Sequence, residues 1–281
     1  MILPLLRERL IFGTGRLAGG AYASRSKALI AACQAAGIVR FDTAPSYGMG
    51  AAEELLGSAV GAGSIIHTKV GSSRPAWSSL RGWAKYLRNS VHNRATVERV
   101  NIAPLRYQEP DHAMDFSPAA IVRSLNRSRR LLRRDRLDLV LLHEAEPWQL
   151  PDDSLSLLAA EQKTGRIGQL GFAHSGPMLR ENPGWLAQTV PWPEALLGRG
   201  DGCIYHSILR AASSGDAIFS AELEQTKMSL GLAEAGAAGR YLSALVWLHQ
   251  RQPNAGLVFA TSAASRLGQF LALLDRIAPR S

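Results

Sequence analysis

Asp42, Tyr47, Lys69 and His143 are the residues of this sequence whose types and spacing could do chemistry together. Asp42 ends the segment VRFD, Tyr47 follows it by five residues, Lys69 ends IIHTK and His143 ends LDLVLLH. A lysine closing an apolar run is unusual, because lysine is almost never fully buried unless it is paired. What such a group offers is proton transfer at an oxygen. A tyrosine hydroxyl, with an ordinary pKa near 10, is a poor acid or base near neutrality. An adjacent ammonium favours the phenolate and is expected to lower that value, while a buried aspartate keeps the lysine charged and in place. A histidine beside the tyrosine could donate a hydrogen bond to a substrate oxygen and orient it. Reduction of a carbonyl needs a proton on oxygen and a hydride on carbon, and this chemistry requires no metal. Singly, Asp42 could cap the next element, Tyr47 could pack as an aromatic and His143 could be a core histidine. The four together on neighbouring segment ends point to a reaction centre.

The elements that must position them alternate between strand-like and helix-like. Strands are predicted at Leu10–Gly13, Val39–Asp42, Ile65–Lys69, Leu137–His143, Ile167–Phe172, Gln188–Trp192, Gly202–His206 and Gly256–Ala260. Helices are predicted at Ser24–Ala36, with Ser24 as N-cap and Gly37 as its stop, and at Ala51–Val60. Further helices are expected from Ser117-Pro118, around Ser154–Thr164, at Arg240–Gln250 and at Ser265–Ile277. Strict alternation implies parallel strands with right-handed crossovers. Eight such units predict a single (β/α)₈ TIM barrel over residues 1–281, whose chemistry sits at the C-terminal strand ends. An open doubly wound sheet would need a glycine fingerprint at its first turn, and Gly13-Thr14-Gly15 through Ala18 meets only the looser form of it. The stretch 176–238 has few clear helices.

The bulk composition excludes other classes. The chain has 281 residues, 46% apolar and 20% charged, which is the profile of a soluble globular protein. Its apolar runs are shorter than the roughly 20 residues a membrane span takes. The N-terminus lacks the basic region and cleavage site of a signal peptide. Cys33 and Cys203 form no metal or disulfide framework, so both read as small core residues of a cytoplasmic protein. The net charge is +9, and residues 74–136 alone hold 14 Lys/Arg against 5 Asp/Glu. Within that excess, Arg127, Arg129, Arg130, Arg133, Arg134 and Arg136 read as the solvated face of one helix. The basic, Trp-containing segment at about 71–116 (Trp77, Trp83, Tyr86, Tyr107) is a long loop after the third strand, expected to form part of a substrate wall.

The strings Phe41-Asp42-Thr43-Ala44-Pro45-Ser46-Tyr47-Gly48, Glu53/Glu54, Leu56-Gly57, Thr68-Lys69, Leu137–His143 and Gly165–Gly171, with a fainter match at Val258–Leu267, resemble the aldo-keto reductase family. The stretch from Phe116 to His143 and the long segment after Lys69 are most similar to its bacterial subgroup that includes aldose and sugar dehydrogenases. The resemblance implies a nicotinamide cofactor lying extended across the barrel mouth, NADP(H) ahead of NAD(H), and a small carbonyl or sugar substrate. It implies Tyr47 as proton donor, Lys69 and Asp42 as its tuning pair and His143 as the substrate-orienting group. Cofactor contacts are implied at Gly13, Thr14, Asp42, His174, Gln188, Tyr205, Ser262 and Arg266, with Phe219 as the alternative to Tyr205 for stacking on nicotinamide. The family's Ser-Asn pair after the fifth strand is replaced here by Ala173-His174. That departure motivates a rival reading, a catalytically impaired cofactor-binding barrel serving as sensor or partner. A nucleic-acid surface on the basic segment finds no accompanying motif. The oligomeric state is left open.

Overall fold

A computed structural model describes residues 4–72, 114–145, 149–175, 185–189, 203–208 and 217–278. Eight parallel strands close into a barrel in chain order: β1 (Leu10–Gly13), β2 (Arg40–Asp42), β3 (Ile65–Val70), β4 (Leu137–His143), β5 (Ile167–Ala173), β6 (Leu186–Thr189), β7 (Cys203–Tyr205) and β8 (Gly256–Phe259). Helices α1 (Pro4–Arg9), α2 (Ala23–Ala35), α3 (Ala52–Ala59), α4 (Pro118–Leu132), α5 (Asp152–Lys163), α6 (Ala217–Ser229), α7 (Gly236–Arg251) and α8 (Ala264–Ile277) are the α-helices of the described residues. The (β/α)₈ barrel expected from alternation is the fold.

Side chains of a strand point alternately to its two faces, so register decides what enters the barrel. Ile11, Leu139, Leu141, Ala173, Ile204 and Val258 form the inner cluster. Phe12, Phe41, Val140, Leu142, Phe172, Tyr205, Leu257 and Phe259 belong to the larger layer between strands and helices. Asp42 pairs with Gly13 and His67, Lys69 with Leu141, His143 with Ala173, and Ala173 with Gln188. One parity therefore carries Asp42, Lys69, His143 and Gln188 to the inside.

Several boundaries move. β6 lies two residues earlier than predicted and ends before Pro191, which cannot donate to the ladder. α2 begins at Ala23, and Ser24 is not its cap; Ser26 Oγ instead donates to Ala18 O at 2.7 Å and accepts from Ala18 N at 3.1 Å. Ser117 does cap α4, accepting from Ala120 N. α1 and α6 are additions to the predicted elements. Of the arginines read as a solvated face, Arg129 is buried and paired with Glu161, and Arg134 donates to Gly61 O and Ala62 O. The basic segment and its aromatics fall within 73–113, outside the described residues; Ser72 and Met114, at its two ends, form an antiparallel bridge.

α3 packs on α4 through Gly57. A Cβ there would stand 2.1 Å from Leu131 O and 2.7 Å from Leu132 C, both backbone atoms that cannot swing aside. Gly57→Ala is expected to destabilise the fold by about 1–3 kcal/mol, as overpacking does. A lower urea midpoint at unchanged slope would show it; an unmoved midpoint would mean that the helices separate without cost.

Candidate active site

The buried core of the site is an ion pair. Lys69 Nζ lies 2.6 Å from Asp42 Oδ1 and donates a second hydrogen bond to Thr43 O at 3.0 Å. Both side chains are nearly inaccessible, at 2% and 4% exposure, so neither could carry its charge alone. Gln188 Nε2 donates to the same Asp42 oxygen at 3.0 Å. Thr14 fixes the Asp42 backbone from β1, with its N and Oγ1 both donating to Asp42 O at 2.9 and 3.0 Å. Gly13 stands beside Asp42 in register, where a Cβ would press on Val258 at 3.1 Å.

Tyr47 reaches this pair from a single 3₁₀ turn, Tyr47–Gly50, that follows β2. Gly48, at φ +57°, makes the turn possible; a Cβ there would also meet Leu17 O at 2.8 Å. Lys69 Nζ lies 4.8 Å from the Tyr47 ring centroid. The His143 ring stands edge-on to Tyr47, centroids 6.3 Å apart at 82°. The four residues singled out by type and spacing are thus brought together at the C-terminal mouth.

The electrostatics differ from expectation in one respect. Burial acts to lower the Lys69 pKa, but the Asp42 carboxylate and Tyr47 outweigh it and hold the ammonium above its ordinary value. For Tyr47, burial is the largest influence and raises the hydroxyl above its ordinary value, although the Lys69 charge opposes it. The expected lowering by lysine is therefore real but smaller than desolvation. Tyr47 therefore stays protonated across neutral pH.

His67, two residues before Lys69 on the same inner face, is 3% exposed, and burial pushes its pKa down to about 4. The unfolded chain then takes up a proton near pH 6.5 that the folded chain refuses until about pH 4. The associated stability is present above pH 6.5 and is lost as pH falls toward 4, amounting to roughly 3 kcal/mol. His67→Gln is expected to flatten this part of the acid limb in urea titrations run from neutral to acidic pH. An identical limb in both proteins would contradict the assignment.

The implied cofactor contacts divide. Gln188 faces inward, and its Oε1 is buried with no hydrogen-bond partner among the described residues. Ser262 and Arg266 are exposed around the start of α8. His174 is buried at the end of β5, stacked on Phe172 with centroids 6.3 Å apart, and its N donates to Gln188 O. Tyr205 is corrected. It pairs with Leu257, is fully buried and packs in the outer layer, so pleat parity turns it away from the mouth. Phe219 falls in α6, and its side chain lies outside the described residues.

Two mouth residues escaped the sequence reading. His206 follows Tyr205, and its Nε2 lies 2.7 Å from His174 O while Nδ1 lies 3.1 Å from Ser207 Oγ. A carbonyl can only accept, so Nε2 carries the proton and Nδ1 accepts from the hydroxyl. Burial lowers the His206 pKa, in keeping with this neutral form. Glu144, at φ +54° just past His143, accepts from Ser175 N at 3.0 Å and from Ser175 Oγ. The signal for His206 was parity: it stands two residues after inward Ile204.

Comparison with known proteins fits this geometry. The family model described as Aldo/keto reductase family matches residues 9–179, more than half of the chain and every segment bearing the four central residues. The chain belongs to the aldo/keto reductase family. It is an NAD(P)-dependent carbonyl oxidoreductase. Among solved structures, this aldo/keto reductase is similar to the glycerol dehydrogenase of Gluconobacter oxydans, at TM-score 0.62 and 19% identity, covering 97% of this chain and 93% of that one. The holo aldo-keto reductase of Bacillus halodurans gives 0.61 and 17% over 95% and 86%. The Klebsiella pneumoniae aldo/keto reductase in complex with NADP and acetate gives 0.58 and 17% over 97% and 92%. At these identities the likeness concerns the fold. No curated protein matches the chain. No helix of the described residues is long and apolar enough to cross a membrane.

Proposed function

We propose that this aldo/keto reductase interconverts an aldehyde or ketone, or an aldose, with its alcohol or lactone, using Tyr47 as the general acid and base. The observation that carries this reading is the buried Lys69–Asp42 pair at 2.6 Å, with Lys69 Nζ 4.8 Å from the Tyr47 ring. A fully desolvated lysine beside a tyrosine hydroxyl stabilises the phenolate left when the hydroxyl gives up its proton. His143, edge-on to Tyr47, is placed to donate a hydrogen bond to the same substrate oxygen and aim it at Oη. In the oxidative direction the same groups run in reverse, with Tyr47 as the base.

The residues present fit a nicotinamide cofactor. Gln188 Oε1 is a buried acceptor beside Asp42 that still lacks a donor among the described residues, which suits a carboxamide N–H. Gly13, Thr14 and Asp42 would line its inner side, and His174 would flank the carboxamide where the family's Ser-Asn pair is absent. When bound, the cofactor supplies or accepts the hydride. Ser262 and Arg266 would hold its adenosine phosphate at the start of α8, where free backbone N–H groups favour an anion. One exposed arginine there supports NADP(H) over NAD(H), in keeping with the NADP held by the Klebsiella protein. The buried free thiols Cys33 and Cys203 suit a reducing cytoplasm.

The test is a titration of NADPH and NADH by fluorescence, followed by a panel of aldehydes, ketones and aldoses with whichever binds. Saturable cofactor binding and turnover of members of the panel are expected. Binding without turnover on any member would instead favour the sensor or partner reading that the Ala173-His174 departure motivates.

A further inference from the structure

We propose that the cavity at the N-terminal end of the barrel, opposite the catalytic mouth, is a binding site for a small oxyanion held by Arg40, Arg9 and His67. This inference stands apart from the reading of the mouth. The cavity measures about 150 Å³, roughly ten times what a single water needs. Its apolar roof is Ile11, Leu139 and Ile204, and it opens between the exposed residues Glu8, Gln169 and Asn254. A ligand could therefore enter from solvent without disturbing the reaction centre.

The lining of the cavity sets two arginines and a histidine against a single carboxylate, Glu8, at the rim. Arg40 pairs with Ile11 and so points inward, and no carboxylate among the described residues lies within ion-pair distance of its guanidinium. Arg9 is tethered at the rim, its Nη1 donating to Asn254 O at 3.4 Å and its Nη2 to Asn254 Oδ1 at 3.3 Å. That leaves its Nε buried with no partner among the described residues. His67, 3% exposed, lines the same space, and its Nδ1 also has no partner among the described residues. Burial and the nearby Arg9 charge both disfavour a protonated Arg40, which Glu8 only partly offsets. Two crowded guanidinium groups and an orphaned imidazole thus converge on one hollow. Water could satisfy the imidazole, but it could not neutralise the two cations. An oxyanion does both, because its oxygens accept charge-assisted hydrogen bonds in the forked geometry that arginine presents. The shared chemistry is that of a phosphate or a small carboxylate.

The experiment is calorimetric titration of the full chain with inorganic phosphate at constant ionic strength in chloride. It is run in saturating NADP⁺ and again in Arg266→Ala, so that any phosphate site at the mouth is filled or removed. A parallel arm uses acetate. One phosphate or acetate per chain is expected under both conditions, weakened about tenfold or more in Arg40→Gln and in Arg9→Gln. The anion that binds more tightly identifies the source, phosphate or carboxylate. A rise in melting temperature with anion concentration, lost in the folded Arg9→Gln protein, is expected alongside. This second variant lies at the rim and keeps the test decisive if Arg40→Gln does not fold. The proposal is overturned if neither anion binds once the mouth is filled, or if both arginine variants bind as tightly as the parent.

Discussion

Replacing Tyr47 by Phe is expected to lower the turnover number for carbonyl reduction by about 10²–10⁴-fold, the range that a positioned general acid contributes. The substitution removes one hydroxyl from a ring that otherwise keeps its place, edge-on to His143 and beside Lys69. The Lys69–Asp42 pair and the Gln188 hydrogen bond do not involve that oxygen and should persist. Cofactor affinity, measured by fluorescence titration, is therefore expected to stay within a few-fold of the parent. The pH profile carries a second expectation. Because burial raises the Tyr47 pKa above its ordinary value, reduction should be flat through neutral pH and fall only in strongly alkaline solution. A descending limb near neutrality would assign the acid to another group. Undiminished turnover in Tyr47→Phe would remove Tyr47 from the mechanism.

Lys69→Met should cost both stability and activity. The substitution leaves the Asp42 carboxylate buried with only Gln188 to donate to its Oδ1, and breaking one side of a buried ion pair typically costs about 3–5 kcal/mol. Adding Asp42→Asn removes the stranded charge, so the double variant should recover much of that loss while remaining inactive. Denaturant midpoints of Lys69→Met, Asp42→Asn and the double variant against the parent give the cycle directly. Equal stability of Lys69→Met and the parent would mean that the pair is not held as a desolvated unit. A double variant as unstable as the sum of its parts would mean that the two residues act separately.

The sequence was most readable where one strand end carries one polar side chain. VRFD, IIHTK and LDLVLLH each mark a strand by apolar and β-branched residues, interrupted only briefly by polar ones, and a site residue by the last position. Closure of the barrel followed from the alternation of elements, since parallel strands need covered faces. Legibility failed at β6 and β7, short strands with no neighbouring motif to fix their register. Over Leu186–Thr189 and Cys203–Tyr205 there are too few positions for a period of two to declare itself. Which residue faces inward was then decided by register with the neighbours, which sequence does not display. Hence Tyr205 was assigned to the mouth and His206 was passed over, although they are adjacent. The sign of the Tyr47 shift was missed for a different reason. Its neighbours could be named in advance, but the depth of its burial depends on the whole rim.

In the proposed reaction, hydride and proton meet at a carbonyl held between Tyr47 and His143. This is tested most directly by following label from cofactor to product. Reduced cofactor carrying deuterium on one face of the nicotinamide C4 is incubated with the enzyme and the best carbonyl of the panel, and the alcohol is analysed by mass spectrometry. One deuterium is expected on the former carbonyl carbon from one of the two labelled faces and none from the other, with the rate of that transfer lowered about 10²–10⁴-fold in Tyr47→Phe. Product formed without label from either face, or label transferred equally well by Tyr47→Phe, would contradict the account.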